Sequence, residues 1–174
     1  MMGAGKSSVG RCLHRRTGLA LHDTDKIVTS KFGMSIPEIF AEHGEKEFRD
    51  AETEALRRVR TEEQTIIITG GGIVLRKENV EILKSQAAIV WLDGDEETLF
   101  ARASRKQSRP LLQTKNPRKA FSQILSVRRP LYANIANIRV DTSVLTDEEI
   151  AVAILAKLRR MNPKPESPIR AKAS

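Results

Sequence analysis

The chain begins Met1-Met2-Gly3-Ala4-Gly5-Lys6-Ser7-Ser8, which is the second half of the pattern G-x-x-x-x-G-K-[ST]. Gly5 is the second glycine of that pattern, and the position of the first falls one residue before Met1. Such a loop has to follow a strand and open a helix, so that successive backbone N–H groups wrap a polyphosphate at the positive end of the helix. Lys6 then reaches the β and γ phosphates, and Ser7 holds Mg²⁺. Val9 to Arg16 reads as the helix that follows. The ligand expected here is ATP or GTP; the bland alternative is a flexible Gly/Ser terminus without a ligand.

Size and charge narrow the partners. At 174 residues, 40% of them hydrophobic, the chain is expected to form one domain with a sizeable core. No run approaches the about 18 apolar residues of a membrane span, and the start has no signal-peptide apolar segment, so a cytoplasmic protein without membrane contact is expected. Cys12 is the only cysteine, which excludes an internal disulfide framework and fits a reducing compartment. The net charge of +8 suits nucleic acid, an anionic membrane surface or small anions. With 4% aromatics and no basic-aromatic platform, nucleic acid is the poorer match and small anionic substrates the better one. Residues 162–174, with three prolines, Lys164, Arg170 and Lys172, read as a disordered basic tail behind a single domain over 1–161.

Short β-branched or apolar runs alternate with longer stretches of helical periodicity, the pattern of a parallel sheet with crossover helices. The predicted strands are Leu19 to His22, Thr65 to Thr69, Ala88 to Leu92 and Ile138 to Asp141. Ligands of open α/β sheets bind beyond the carboxyl ends of the strands, which brings Asp23, Asp25 and Gly70 to Gly72 to the rim that holds Gly5. Phe48, Ala51, Ala55 and Val59 repeat at helical spacing, as do Ile150, Ile154 and Leu158, and both sets read as core faces. Thr146 with Glu149 forms a capping box ahead of the second set. Trp91 reads as a core residue of a strand. His14, His22 and His43 have no ligand-like spacing, so a bound transition metal is not expected.

Four polar groups remain. Asp23-Thr24-Asp25 places two carboxylates on one side of an extended segment, suited to a Mg²⁺ shell and a phosphoryl acceptor, unless Asp23 or Thr24 simply caps the next helix. Glu52, three residues after Arg49, can hold that guanidinium in a pose for reading a carboxylate; an ordinary surface ion pair is the alternative. Gly70-Gly71-Gly72 lets a ligand approach main-chain N–H groups. The polar, basic stretch 104–119 around Arg109-Pro110-Leu111-Leu112 is either a lid that brings a cation to the transferring group or a solvated loop.

In this order, the motifs resemble those of the shikimate kinase family over about Gly3 to Arg160. The family's phosphate loop stands at Gly3-Ala4-Gly5-Lys6-Ser7, its strand-end acids at Asp23 and Asp25, and its F-R-x-x-E helix at Phe48, Arg49 and Glu52. Its triple glycine stands at Gly70 to Gly72, R-P-L-L at Arg109 to Leu112, and R-x-P-L-Y at Arg128 to Tyr132. The resemblance implies a P-loop nucleoside-monophosphate-kinase-like three-layer α/β fold with a parallel sheet, and transfer of the ATP γ-phosphoryl to the 3-hydroxyl of shikimate. It implies an ATP site of Gly3, Ala4, Gly5, Lys6, Ser7, Ser8, Arg102 and Arg109, with Lys6, Asp25 and Arg109 catalytic. Shikimate would take Asp25, Arg49, Gly70, Gly71, Gly72 and Arg128, with Glu52 in support, and Ser7 and Asp23 would serve Mg²⁺ in a monomeric enzyme. The departure is the first strand, central in the family's sheet and missing from this chain. A misassigned start or a shortened polypeptide is the expected cause, and impaired folding or activity the expected consequence. Two other readings stay open: a gluconate or nucleotide kinase of like architecture, and a non-catalytic protein that lost nucleotide with the strand.

Overall fold

Strands and helices alternate through the computed structural model, which describes residues 1–59, 63–105 and 110–161. The order is α1 (Lys6–Thr17), β1 (Ala20–Asp23), α2 (Thr24–Phe32), α3 (Ile36–Glu42), α4 (Gly44–Arg58), β2 (Thr65–Ile68), α5 (Lys77–Gln86), β3 (Val90–Asp93), α6 (Glu96–Ser104), α7 (Pro117–Ile135), β4 (Ile138–Asp141) and α8 (Asp147–Met161), with short 3₁₀ turns at Ile73–Leu75 and Pro110–Leu112. All four expected strands form. The third starts at Val90 rather than Ala88, because the Asn137 side chain accepts from the Ile89 amide at 2.7 Å and holds that residue outside the regular ladder. Asp23 and Asp93 close their strands instead of following them.

Pairing is parallel and falls into two halves. β1 pairs with β2 in the register Leu21 to Ile66, and β3 with β4 in the register Leu92 to Val140. Among the described residues β2 and β3 do not pair with each other. A cavity of about 1110 Å³ lies between them, lined by Thr65 to Ile67 on one side, Val90 to Leu92 on the other, and Met1 and Lys6 at one end. The lining is apolar on both flanks, and each flank offers the backbone groups that a further strand would pair with.

Helices hold the two halves together. α1 packs on β1, β2 and α8, while α8 packs on β4, so this pair bridges the slot. Val9 from α1, Leu99 from α6, Leu125 from α7, Val140 from β4 and Ile150 and Ile154 from α8 are buried in one cluster. Leu158 packs against that cluster, as the periodicity requires, and the Thr146–Glu149 capping box forms, with the Thr146 amide donating to Glu149 at 2.8 Å. A second, smaller core joins Val28 of α2, Ile39 of α3 and Phe48, Ala51 and Ala55 of α4, and gives that helical corner its own rigidity. Trp91 is buried in β3. Among the described residues no helix is long and apolar enough to cross a membrane. The expected tail, 162–174, lies outside the described residues.

The slot generates a stability prediction. Burying one Val, Leu or Ile side chain contributes about 1.5–3 kcal/mol, and each kcal/mol moves the melting point of a domain this size by about 2–4 °C. A variant carrying five extended apolar residues joined ahead of Met1 is therefore expected to melt at least about 5 °C higher. An unchanged midpoint in calorimetry would mean that the slot does not take a strand.

Candidate active site

The phosphate loop has the backbone its sequence demands. Gly3 and Gly5 adopt φ of 75° and 76°, the left-handed region that only glycine enters without cost. A Cβ on Gly3 would overlap the Leu99 carbonyl, so that position also rejects any side chain by contact. Gly5 is the N-cap of α1 and provides no side-chain cap, which leaves the first-turn amides directed at whatever lies beyond the loop. Lys6 donates from Nζ to the Met1 carbonyl at 2.7 Å and arches back along the loop. Ser7 is exposed at the start of the helix, with Ala4 buried and Ser8 half-buried beside it. Anion-directed amides, a lysine and a hydroxyl thus meet at one helix end.

Asp23 and Asp25 sit where β1 becomes α2. Asp23 is the N-cap: its Oδ1 accepts from the amides of Asp25 at 3.1 Å and Lys26 at 3.4 Å. The capping alternative therefore holds, and only its other oxygen is left for a further role. Thr24 is fully buried and its hydroxyl accepts from the Gly70 amide at 3.3 Å, tying the β1 rim to the loop after β2. That link was not legible in the sequence, where Thr24 stands only as the residue between two acids.

Each glycine of Gly70 to Gly72 lies beneath a different functional side chain. A Cβ on Gly70 would run into Glu52 Oε1 and Asp25 Oδ1, and one on Gly72 into the Arg49 guanidinium. At Gly71 it would stand 3.7 Å from Arg128 Nη1 and 3.6 Å from the Met2 amide. Gly70 and Gly72 therefore answer a demand for space by charged side chains rather than for turn conformation, since none of the three glycines has positive φ, while a Cβ on Gly71 would make only ordinary contacts. Among the described residues the amides of Gly71 and Gly72 make no hydrogen bond.

Arg49 and Glu52 are not a surface pair. Glu52 is completely buried and Arg49 is 7% exposed; Nη1 donates to Glu52 Oε2 at 3.0 Å while Nη2 donates to Glu45 at 3.0 Å. Burial pushes the Glu52 carboxyl above its ordinary range, and the facing Arg49 pulls it back. Its Oε1 has no hydrogen-bond partner among the described residues. Arg128, from α7, is 6% exposed and donates to the Gly71 carbonyl at 2.8 Å. Burial lowers its pKa, as expected of a guanidinium held out of water beside a carbonyl instead of a carboxylate. Tyr132, one helical turn on, donates to the same carbonyl at 2.8 Å.

Two basic groups of the expected ATP site remain. Arg102 donates from Nη1 to the Thr142 carbonyl at 2.8 Å and from Nη2 to that of Ser143 at 3.3 Å, holding the segment after β4 against α6. Arg109 lies outside the described residues, as do 106–108 of the expected lid; at its far end, Arg118 is bound to Glu97 and stacked over Phe100. Asp93, which sequence reading passed over, is fully buried and accepts from Arg139 at 2.8 Å and from Arg129 at 3.4 Å, a structural tie at the end of β3.

A phosphate loop at the carboxyl rim of a parallel sheet, with strand-end acids beside it, defines a P-loop phosphotransferase. The family model for shikimate kinase matches residues 2–159. A shikimate kinase of Thermodesulfovibrio yellowstonii is 38% identical over 161 residues, 92% of each chain. That of Thioalkalivibrio sulfidiphilus is 38% identical over 96% of this chain and 87% of its own. Among solved structures, shikimate kinase from Acinetobacter baumannii in complex with shikimate superposes with a TM-score of 0.89 at 34% identity, covering 94% of this chain and 91% of that one. A Sinorhizobium meliloti gluconokinase, at 19% identity and a TM-score of 0.57, shares the fold alone. The chain belongs to the shikimate kinase family.

Two left-handed glycines separate contact from backbone strain. Gly18, at φ 71° with nothing near its Cβ position, should lose about 1 kcal/mol on replacement by Ala. Gly3→Ala meets the Leu99 carbonyl as well, and is expected to cost at least about 1 kcal/mol more in denaturant unfolding, as overpacked sites do. Equal losses would show that the loop is not seated against α6.

Proposed function

We propose that the protein transfers the γ-phosphoryl group of ATP to the 3-hydroxyl of shikimate, giving shikimate 3-phosphate and ADP, a step toward chorismate and the aromatic amino acids. Membership of the shikimate kinase family makes it a phosphotransferase with an alcohol acceptor and ATP as co-substrate. The single observation that carries the acceptor assignment is the pair of buried guanidiniums, Arg49 and Arg128, flanking Gly71 and Gly72, with Asp25 at the neighbouring Gly70. Shikimate has a carboxylate and hydroxyls, and this site offers paired cations and an acid on one three-glycine loop.

In this reading the γ-phosphate lies against the loop amides of Gly3 to Ser8 and the Lys6 ammonium. Arg128 and Arg49 grip the substrate carboxylate, with Glu52 fixing the Arg49 fork and the amides of Gly71 and Gly72 alongside. That grip orients the 3-hydroxyl toward the γ-phosphorus and beside Asp25. The hydroxyl oxygen forms the new P–O bond, its proton passes to the Asp25 carboxylate, and the bond to the ADP oxygen breaks in line. Arg109 closes over the phosphates from the lid and Arg102 serves the adenine side. Ser7 and the unspent oxygen of Asp23 are hard oxygen donors that suit Mg²⁺, with Asp23 acting through water because its Oδ1 is committed to the α2 cap. Bound Mg²⁺ supplies charge neutralisation on the phosphates. Residues 1–161 act as one domain, in a monomeric, cytoplasmic enzyme.

The clamp is tested by separating the two substrates. Leaving one partner of a buried charge pair alone costs about 2–5 kcal/mol, so Arg128→Ala is expected to raise KM for shikimate at least about 30-fold and to leave KM for Mg-ATP within about twofold. Equal losses for both substrates would contradict the assignment.

A further inference from the structure

We infer that Tyr132 is a positioning residue for the acceptor carboxylate, acting through the carbonyl of Gly71; this rests on the shikimate reading above. The geometry carries it. Tyr132 is four residues after Arg128, on the same face of α7, and the two side chains converge on one oxygen, each donating at 2.8 Å to the Gly71 carbonyl. A trans peptide is planar, with its C=O and N–H pointing in opposite directions. Anchoring the Gly71 carbonyl toward α7 therefore aims the Gly72 amide away from α7.

The hydroxyl also frees Arg128 for work. One carbonyl oxygen has two lone pairs and here receives two donors, of which only Arg128 is charged and able to turn to an incoming carboxylate. When it turns, Tyr132 keeps the carbonyl satisfied, so the Gly71–Gly72 peptide stays where it is. Without the hydroxyl, the half-buried carbonyl keeps Arg128 as its one side-chain donor among the described residues and competes with substrate for it. The phenol is protonated across the neutral range, as an ordinary tyrosine is, and burial pushes its pKa further up to about 12, so it remains a donor throughout. Its ring is fixed by stacking on Trp91, with centroids 5.9 Å apart and planes 14° apart, and Trp91 is capped in turn by Arg139 at 4.9 Å. Tyr132 is itself 8% exposed.

Tyr132→Phe removes the hydroxyl and keeps the stack. Since Trp91 is the only tryptophan of the chain and touches this ring, its fluorescence, alongside calorimetry, reads shikimate binding to the full chain. Net loss of a single hydrogen bond predicts about threefold to tenfold weaker shikimate binding, with Mg-ATP affinity and kcat at saturating shikimate within about twofold of the parent. Unchanged shikimate affinity in the variant overturns the inference and leaves the kinase assignment intact. Equal weakening of shikimate and Mg-ATP also overturns it, because a general loosening of the fold moves both. If the parent chain binds no shikimate, the functional reading fails, and the role of Tyr132 falls with it.

Discussion

Arg128 is a cation held almost out of water with a backbone carbonyl for company, and the site is organised around that imbalance. Burial of a guanidinium without a carboxylate is costly, and the cost is recovered only when an anion arrives. Arg49 is better provided for, between Glu45 and Glu52. Glu52 in turn has its carboxyl pushed upward by burial, with Arg49 pulling it back. A carboxylate on the ligand completes the set. In the proposed function that carboxylate is the one shikimate brings to Arg128.

The fold supplies this geometry through three elements that are distant in sequence. α4 brings Arg49 and Glu52 on one face, α7 brings Arg128 and Tyr132 on another, and the turn after β2 runs between them with no side chains in the way. The second core under α2, α3 and α4 gives the Arg49 helix a rigid seat independent of the strand pairs. The phosphate side depends on Gly3 and Gly5 seated against α6 and α8, near Leu99 and Asp147. Between the two sides, the slot of about 1110 Å³ separates β2 from β3, and α1 with α8 carries the mechanical continuity across it.

Local signals were the legible part of the sequence. Four short β-branched or apolar runs, each ending in an acid or glycine, located all the strands of the described residues, and the capping box at Thr146 located the start of α8. Motif order supplied the family and the candidate site residues that sit on those elements. What sequence reading left open depended on burial and on contacts between segments far apart. Spacing placed Glu52 near Arg49 but could not separate a surface pair from one at 0% exposure. The Asp23 cap and a possible metal role were alternatives on paper, and the structure gives one oxygen to the cap. Thr24 to Gly70 and Tyr132 to Gly71 were invisible because each spans more than 45 residues and uses an unremarked hydroxyl. The only hint was that Tyr132 shares a helix face with Arg128.

The most direct measurement is release of ADP from Mg-ATP by this chain, with shikimate as acceptor and gluconate as control, and the product identified by phosphorus NMR. The account predicts ADP release that requires shikimate, a phosphate ester at its 3-hydroxyl, and no turnover with gluconate. Turnover with gluconate but not shikimate, or ATP hydrolysis indifferent to either, would contradict it.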